Sequence, residues 1–98
     1  MEKSLDLKLI SGEFNPIDAK EILINLVNDK LNFHVRKNFS STIRFGAPDE
    51  NSAQRITELN GELRNIMEFF DQMDMANGSF SINATIELRS IETKEQNI

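Results

Sequence analysis

The single histidine of the chain, His34, lies in the stretch that gathers most of what the sequence offers for polar chemistry. Lys30 stands about one helical turn before it, Lys37 about one turn after, and Arg36 and Arg44 complete a local concentration of positive charge. A lysine and a histidine one turn apart on a partly apolar helix face can hold an anion or line a small pocket. The plainer alternative is that the lysine stems cover the face and the histidine is a packing residue or a pH-sensitive contact. Lys30, His34, Arg36 and Arg44 are therefore the candidate ligand-binding residues, and convergence of their side chains on one pocket is what would distinguish the two.

Catalysis needs a constellation that the sequence does not assemble. There is no cysteine, which excludes disulfides, thiolate metal sites and cysteine nucleophiles. With one histidine there is no histidine pair, and no His/Cys/Asp cluster has metal-ligand spacing. No serine carries the glycine pattern of a nucleophile elbow, and Gly12 and Gly46 are isolated turn glycines rather than phosphate-cradling loops. Acid pairs such as Asp71/Asp74 and Glu58/Glu62 read as solvated helix faces. The expectation is a protein that is not an enzyme, with no catalytic residues, metal site or cofactor.

Charge argues similarly about partners. The net charge is −5, split into about +1 over residues 1–48 and −6 over residues 49–98. An acidic surface repels phosphate backbones, and Trp and Tyr, common stacking residues, are absent. Phe39 and Phe45 among Arg36, Lys37 and Arg44 form the one basic and aromatic neighbourhood, too small to imply nucleic-acid binding. No apolar run approaches the roughly 20 residues that cross a bilayer, and the first residues lack a secretory pattern, so neither membrane nor nucleic acid is an expected partner and cytoplasmic residence is the expectation.

The elements that would position these residues are legible from periodicity. Leu5, Leu7 and Leu9 alternate with Asp6 and Lys8, and Phe80, Ile82, Ala84, Ile86 and Leu88 alternate with polar residues, so both ends read as strands with one apolar face. Strand one is expected over Leu5 to Ser11, with Gly12 and Glu13 turning the chain. Asn15-Pro16-Ile17-Asp18 is a helix start, with Asn15 as N-cap and Pro16 at the first helical position. The helix is expected to run to about Asn38, its main apolar face made of Ala19, Ile22, Leu23, Leu26, Val27 and Phe33, with Ile24, Leu31 and Val35 on a flank outside that stripe. Phe39 to Pro48 reads as a loop, rich in Ser, Thr, Gly and Pro. Helix two begins near Pro48-Asp49-Glu50, carries a 3/4-spaced seam of Ile56, Leu59, Leu63, Ile66, Phe70 and Met73, and stops by Asn77-Gly78.

The order β-α-α-β gives an α+β fold, with an antiparallel helical hairpin packed on a small antiparallel sheet. Residues 1–91 form one domain and residues 92–98 a polar tail without fixed structure. A two-stranded sheet is marginal alone, which suggests extension of the sheet by oligomerisation.

Gly12-Glu13-Phe14-Asn15-Pro16-Ile17-Asp18-Ala19, followed by Phe33-His34 and by Arg55-Ile56 with Leu59 and Leu63, resembles small bacterial proteins of Bacteroidetes type that share a G-x-F-x-x-x-D-A helix start and a Phe-His pair. The likeness spans roughly residues 5–90. It implies a bacterial protein, and because no activity is attached to that group, it carries over no catalytic residues.

The leading functional expectation is a non-enzymatic homo-oligomeric interaction module, most simply a homodimer, with Ile24, Leu31, Val35, Phe80, Ile82 and Ile86 as interface residues. An acidic inhibitor or antitoxin-like protein that masks a basic partner is the alternative. A binder of small anionic ligands around His34 and Arg44 is a third reading.

Overall fold

A computed structural model describes residues 3–91 of the chain. Its order is β1 (Ser4–Phe14), α1 (Pro16–Phe45), α2 (Glu50–Asp71) and β2 (Phe80–Arg89), and β1 and β2 form a two-stranded antiparallel sheet. The α+β architecture and the helical hairpin are those expected from periodicity. The expected tail, residues 92–98, lies outside the described residues.

The sheet is longer than the alternation of Leu5, Leu7 and Leu9 implies, because a β-bulge re-phases β1. Pairing runs Leu5–Leu88 and Leu7–Ile86, breaks between Lys8 and Ile10, and resumes as Ile10–Ala84, Gly12–Ile82 and Phe14–Phe80. The extra residue is Leu9. Its insertion brings Ile10, Gly12 and Phe14 onto the face that Leu5 and Leu7 occupy, opposite the unbroken alternation of β2. Gly12 and Glu13 are thus strand residues, not a turn.

Helix α1 starts as its sequence dictates. Asn15 is extended and its side chain accepts the Asp18 backbone N–H at 2.7 Å, with Pro16 behind it. The helix passes Asn38 and continues to Phe45, which corrects the expected loop over Phe39–Pro48. No glycine or proline falls within Phe39–Phe45, and its hydroxyl residues are accommodated: the Thr42 hydroxyl donates to the Asn38 carbonyl at 3.0 Å, and that of Ser41 donates to the Ala47 carbonyl at 2.9 Å. Gly46 ends the helix in the left-handed conformation, φ 74°, where a side chain would be strained, and its N–H caps the Thr42 carbonyl at 2.9 Å.

Asp49 caps α2 by accepting the Ser52 backbone N–H at 3.2 Å. Helix α2 ends at Asp71, six residues before Asn77, so Met73 falls outside the helical seam. The Asp74 carboxylate accepts the Ala76 backbone N–H at 3.0 Å and the Asn77 side-chain amide at 2.9 Å, a local turn that competes with helix continuation. These bonds hold the Asp74 carboxyl below its ordinary pKa.

The hairpin is joined to the base of the sheet by an aromatic cluster. Phe70, almost fully buried on α2, stands edge-on to Phe69 at 5.1 Å and to Phe80 of β2 at 5.5 Å, while Phe69 and Phe80 lie 5.8 Å apart. Ala19, Leu59 and Phe70 are the buried hydrophobic residues. The Cα trace measures 57 × 36 × 14 Å; α1 packs on α2 and β1 pairs with β2, while helices and strands barely meet, so hairpin and sheet lie side by side as one layer. No helix among the described residues is long and apolar enough to cross a membrane. Truncating the centre of the aromatic cluster, Phe70→Ala, is expected to lower unfolding free energy by about 3–5 kcal/mol in urea titrations followed by circular dichroism.

Candidate functional site at the interhelical seam

The hairpin seam places His34 against the first turn of α2. Continuing the 3/4 spacing of Ile56, Leu59, Leu63, Ile66 and Phe70 one step towards the N-terminus reaches Ser52, so a serine occupies a seam position. Ser52 and His34 are 1% and 8% exposed, and His34 Nδ1 lies 3.0 Å from Ser52 Oγ. Ser52 also donates its backbone N–H to the Asp49 carboxylate at 3.2 Å, and the neighbouring Ser52 hydroxyl together with this bond holds the Asp49 carboxyl below its ordinary pKa. Asp49 is in turn anchored to α1, its backbone N–H donating to the Asn38 side-chain carbonyl at 2.8 Å. His34, Ser52, Asp49 and Asn38 thus form a polar clamp that closes the loop end of the hairpin.

A neutral imidazole donates from one ring nitrogen and accepts at the other, and the Ser52 hydroxyl can take either role towards Nδ1. Nε2 is buried and has no hydrogen-bond partner among the described residues. Burial is the leading cause that lowers the His34 pKa below its ordinary 6.5, followed by the positive charges of Lys30, Arg55 and Lys37; Asp49 acts in the opposite sense.

Ser, His and Asp are all present, yet the arrangement is not that of a serine hydrolase. Such a triad sets histidine between serine and carboxylate and leaves the hydroxyl free to attack. Here serine stands between histidine and carboxylate, with its hydroxyl enclosed by the seam. Among the described residues, no group of three or more His, Cys, Asp or Glu side chains is placed to hold a metal ion.

The four ligand-binding candidates do not share one pocket. Lys30 lies on the same side of α1 as His34, its Nζ 5.2 Å from the centre of the Phe33 ring. Arg36, two residues from His34, emerges on the opposite side of the helix. Arg44 lies at the helix C-terminus beside a shallow depression of about 300 Å³ that it lines with Lys37, Ser40, Ser41, Phe45 and Asp49. Of the interface candidates, Ile24 and Leu31 are half-buried, Val35 and Ile86 are exposed, Ile82 is half-buried, and Phe80 belongs to the aromatic cluster.

Ser52, Asp49 and Asn38 were not candidates from spacing alone. The signal for Ser52 was present in the seam period and in the Asp-x-x-Ser cap, but its pairing with His34 depends on the register of the two helices. Comparison with known proteins yields no match: no protein-family model, curated protein or solved structure aligns significantly with the chain.

The clamp makes stability depend on pH with a definite sign. His34 has a lower pKa folded than unfolded, so its neutral form contributes stability that is present above pH 6.5 and lost as pH falls through the lowered folded value. Asp49 loses its contribution only in the more acidic range, below its ordinary 3.8. Thermal or urea midpoints should therefore fall as the pH is lowered from neutrality through and below 6.5. His34→Gln should flatten that segment of the profile; a slope equal to the wild type would remove His34 as its cause.

Proposed function

We propose that this protein is a homo-oligomeric interaction module, most simply a dimer, whose fold is completed by a second copy. The observation that carries the reading is the single layer. Helices and strands that each have an apolar face need a second layer over it, and stable domains supply two or three. Here most of the apolar residues stay open: Leu5, Leu7, Ile86 and Leu88 on the sheet, Val35, Phe39 and Ile43 on α1, and Met67 on α2 are exposed.

The surface area points the same way. The accessible surface is 8010 Å², whereas a compact monomer of 11.2 kDa exposes about 5,700 Å². Setting aside the surface of the residues outside the described range still leaves an excess of roughly 1,000 Å², more than the ~800 Å² that each partner contributes to a standard interface. Together with the exposed apolar residues named above, an excess on this scale supports an association site rather than ordinary surface.

Light scattering coupled to size exclusion at micromolar concentration tests the reading. A mass of at least twice 11.2 kDa is expected. A monomer mass that stays unchanged as concentration rises would refute it.

A further inference from the structure

We infer that Asn77 is a site of covalent self-modification: the Gly78 backbone nitrogen displaces its side-chain amide, leaving aspartate or isoaspartate in the connection between α2 and β2. The chain contains two Asn-Gly pairs, Asn60-Gly61 and Asn77-Gly78. Such pairs are the most open to this chemistry, because glycine puts no side chain beside the attacking nitrogen. Nothing in the dipeptides themselves favours one over the other. The fold separates them.

The reaction needs only water. The Gly78 N–H gives its proton to water or hydroxide, and the nitrogen bonds to Asn77 Cγ. The Cγ–Nδ2 bond breaks, the nitrogen departs as ammonia with a proton from solvent, and a five-membered succinimide remains. Water then adds to one of the two ring carbonyls. Opening at Cγ gives aspartate with the original backbone. Opening at the main-chain carbonyl gives isoaspartate, whose backbone is one methylene longer.

Ring closure requires a free backbone N–H and an asparagine whose backbone can turn. Both asparagines are exposed, and neither glycine has an atom within 4 Å of where a side chain would begin, so solvent access and crowding do not distinguish the pairs. Backbone hydrogen bonding does. Gly61 lies inside α2, where its N–H belongs to the helix ladder, four residues on from Thr57, and turns on both sides fix its neighbours. Gly78 lies between the end of α2 and the start of β2, in the left-handed conformation at φ 92°. Its N–H has no hydrogen-bond partner among the described residues. Asn77 is held only to Asp74, through its side-chain amide on the carboxylate at 2.9 Å and its backbone N–H on the carbonyl at 3.3 Å. Exposed single bonds of this kind exchange with water at small net cost, and neither engages the attacking nitrogen.

The position has structural consequences. Modification replaces the amide that serves the Asp74 carboxylate with a second negative charge. It also falls close before Phe80, whose ring meets Phe70 where the sheet joins the hairpin. The inference is independent of the oligomer reading.

Peptide mapping tests it, because trypsin separates the two pairs into the fragments 56–64 and 65–89. The full folded chain is incubated at mildly alkaline pH, and a parallel sample is held unfolded in guanidinium. In the folded sample, fragment 65–89 should gain about one mass unit and split into aspartate and isoaspartate forms, at least about tenfold faster than fragment 56–64 changes. In guanidinium the two fragments should change at similar rates. Asn77→Gln, which cannot close a five-membered ring, should abolish the gain in 65–89 although Asn65 and Asn83 remain there. Equal rates in the folded chain, a fragment 65–89 that stays unchanged when folded, or a gain that survives Asn77→Gln overturns the assignment.

Discussion

Apolar surface can be hidden only by something lying across it, and in a single layer each helix or strand has neighbours beside it but none above or below. That constraint governs this molecule. Its helices are long, its strands well paired and its caps satisfied, yet Ala19, Leu59 and Phe70 are the buried hydrophobic residues among those described. Backbone hydrogen bonding is met locally, by ladder and helix, while side-chain burial is left incomplete. The aromatic cluster of Phe69, Phe70 and Phe80 is what makes the hairpin and the sheet one unit, because it is where α2 and β2 bring large rings together.

The polar clamp at the other end of the hairpin has a complementary role. A histidine, a serine and a capping aspartate replace apolar residues in the seam near the loop. Buried polar groups tolerate few alternative partners, so a bond between His34 and Ser52 specifies helix register more strictly than another leucine pair would. Burial and the surrounding cations lower the His34 pKa, which couples this register to pH. The same chemistry that suggested a ligand site in the sequence therefore acts, in the fold, as a structural fastening. Lys30 and Lys37 surround it, while Arg36 and Arg44 belong to other surfaces.

Departures from the sequence reading have specific physical causes. Alternation in β1 stops at Leu9 because a bulge shifts its phase, and no composition signal marks a bulge made by a leucine. Phe39 to Phe45 looked like a loop because serine and threonine often compete with helix, but here the Ser41 and Thr42 hydroxyls return to nearby carbonyls and Gly46 supplies the stop. Helix α2 is shorter than expected because Asp74 captures the backbone and side chain just after it. In each case a short-range polar bond or a register choice, rather than hydrophobic periodicity, decided the boundary.

The amino-acid sequence by itself determined the element order, the cap at Asn15, the start of α2 near Asp49, the apolar face of β2 and the α2 seam. These follow from local rules, because caps, periods and turns act over a few residues. Only the tertiary structure decided that His34 meets Ser52, that Lys30 and Arg44 point to different places, and that the layer stays open. Those outcomes depend on the register between α1 and α2 and on which faces the connection leaves uncovered, and neither is encoded within any single turn of the chain. The histidine stretch, the richest in potential chemistry, took its role from a residue 18 positions away.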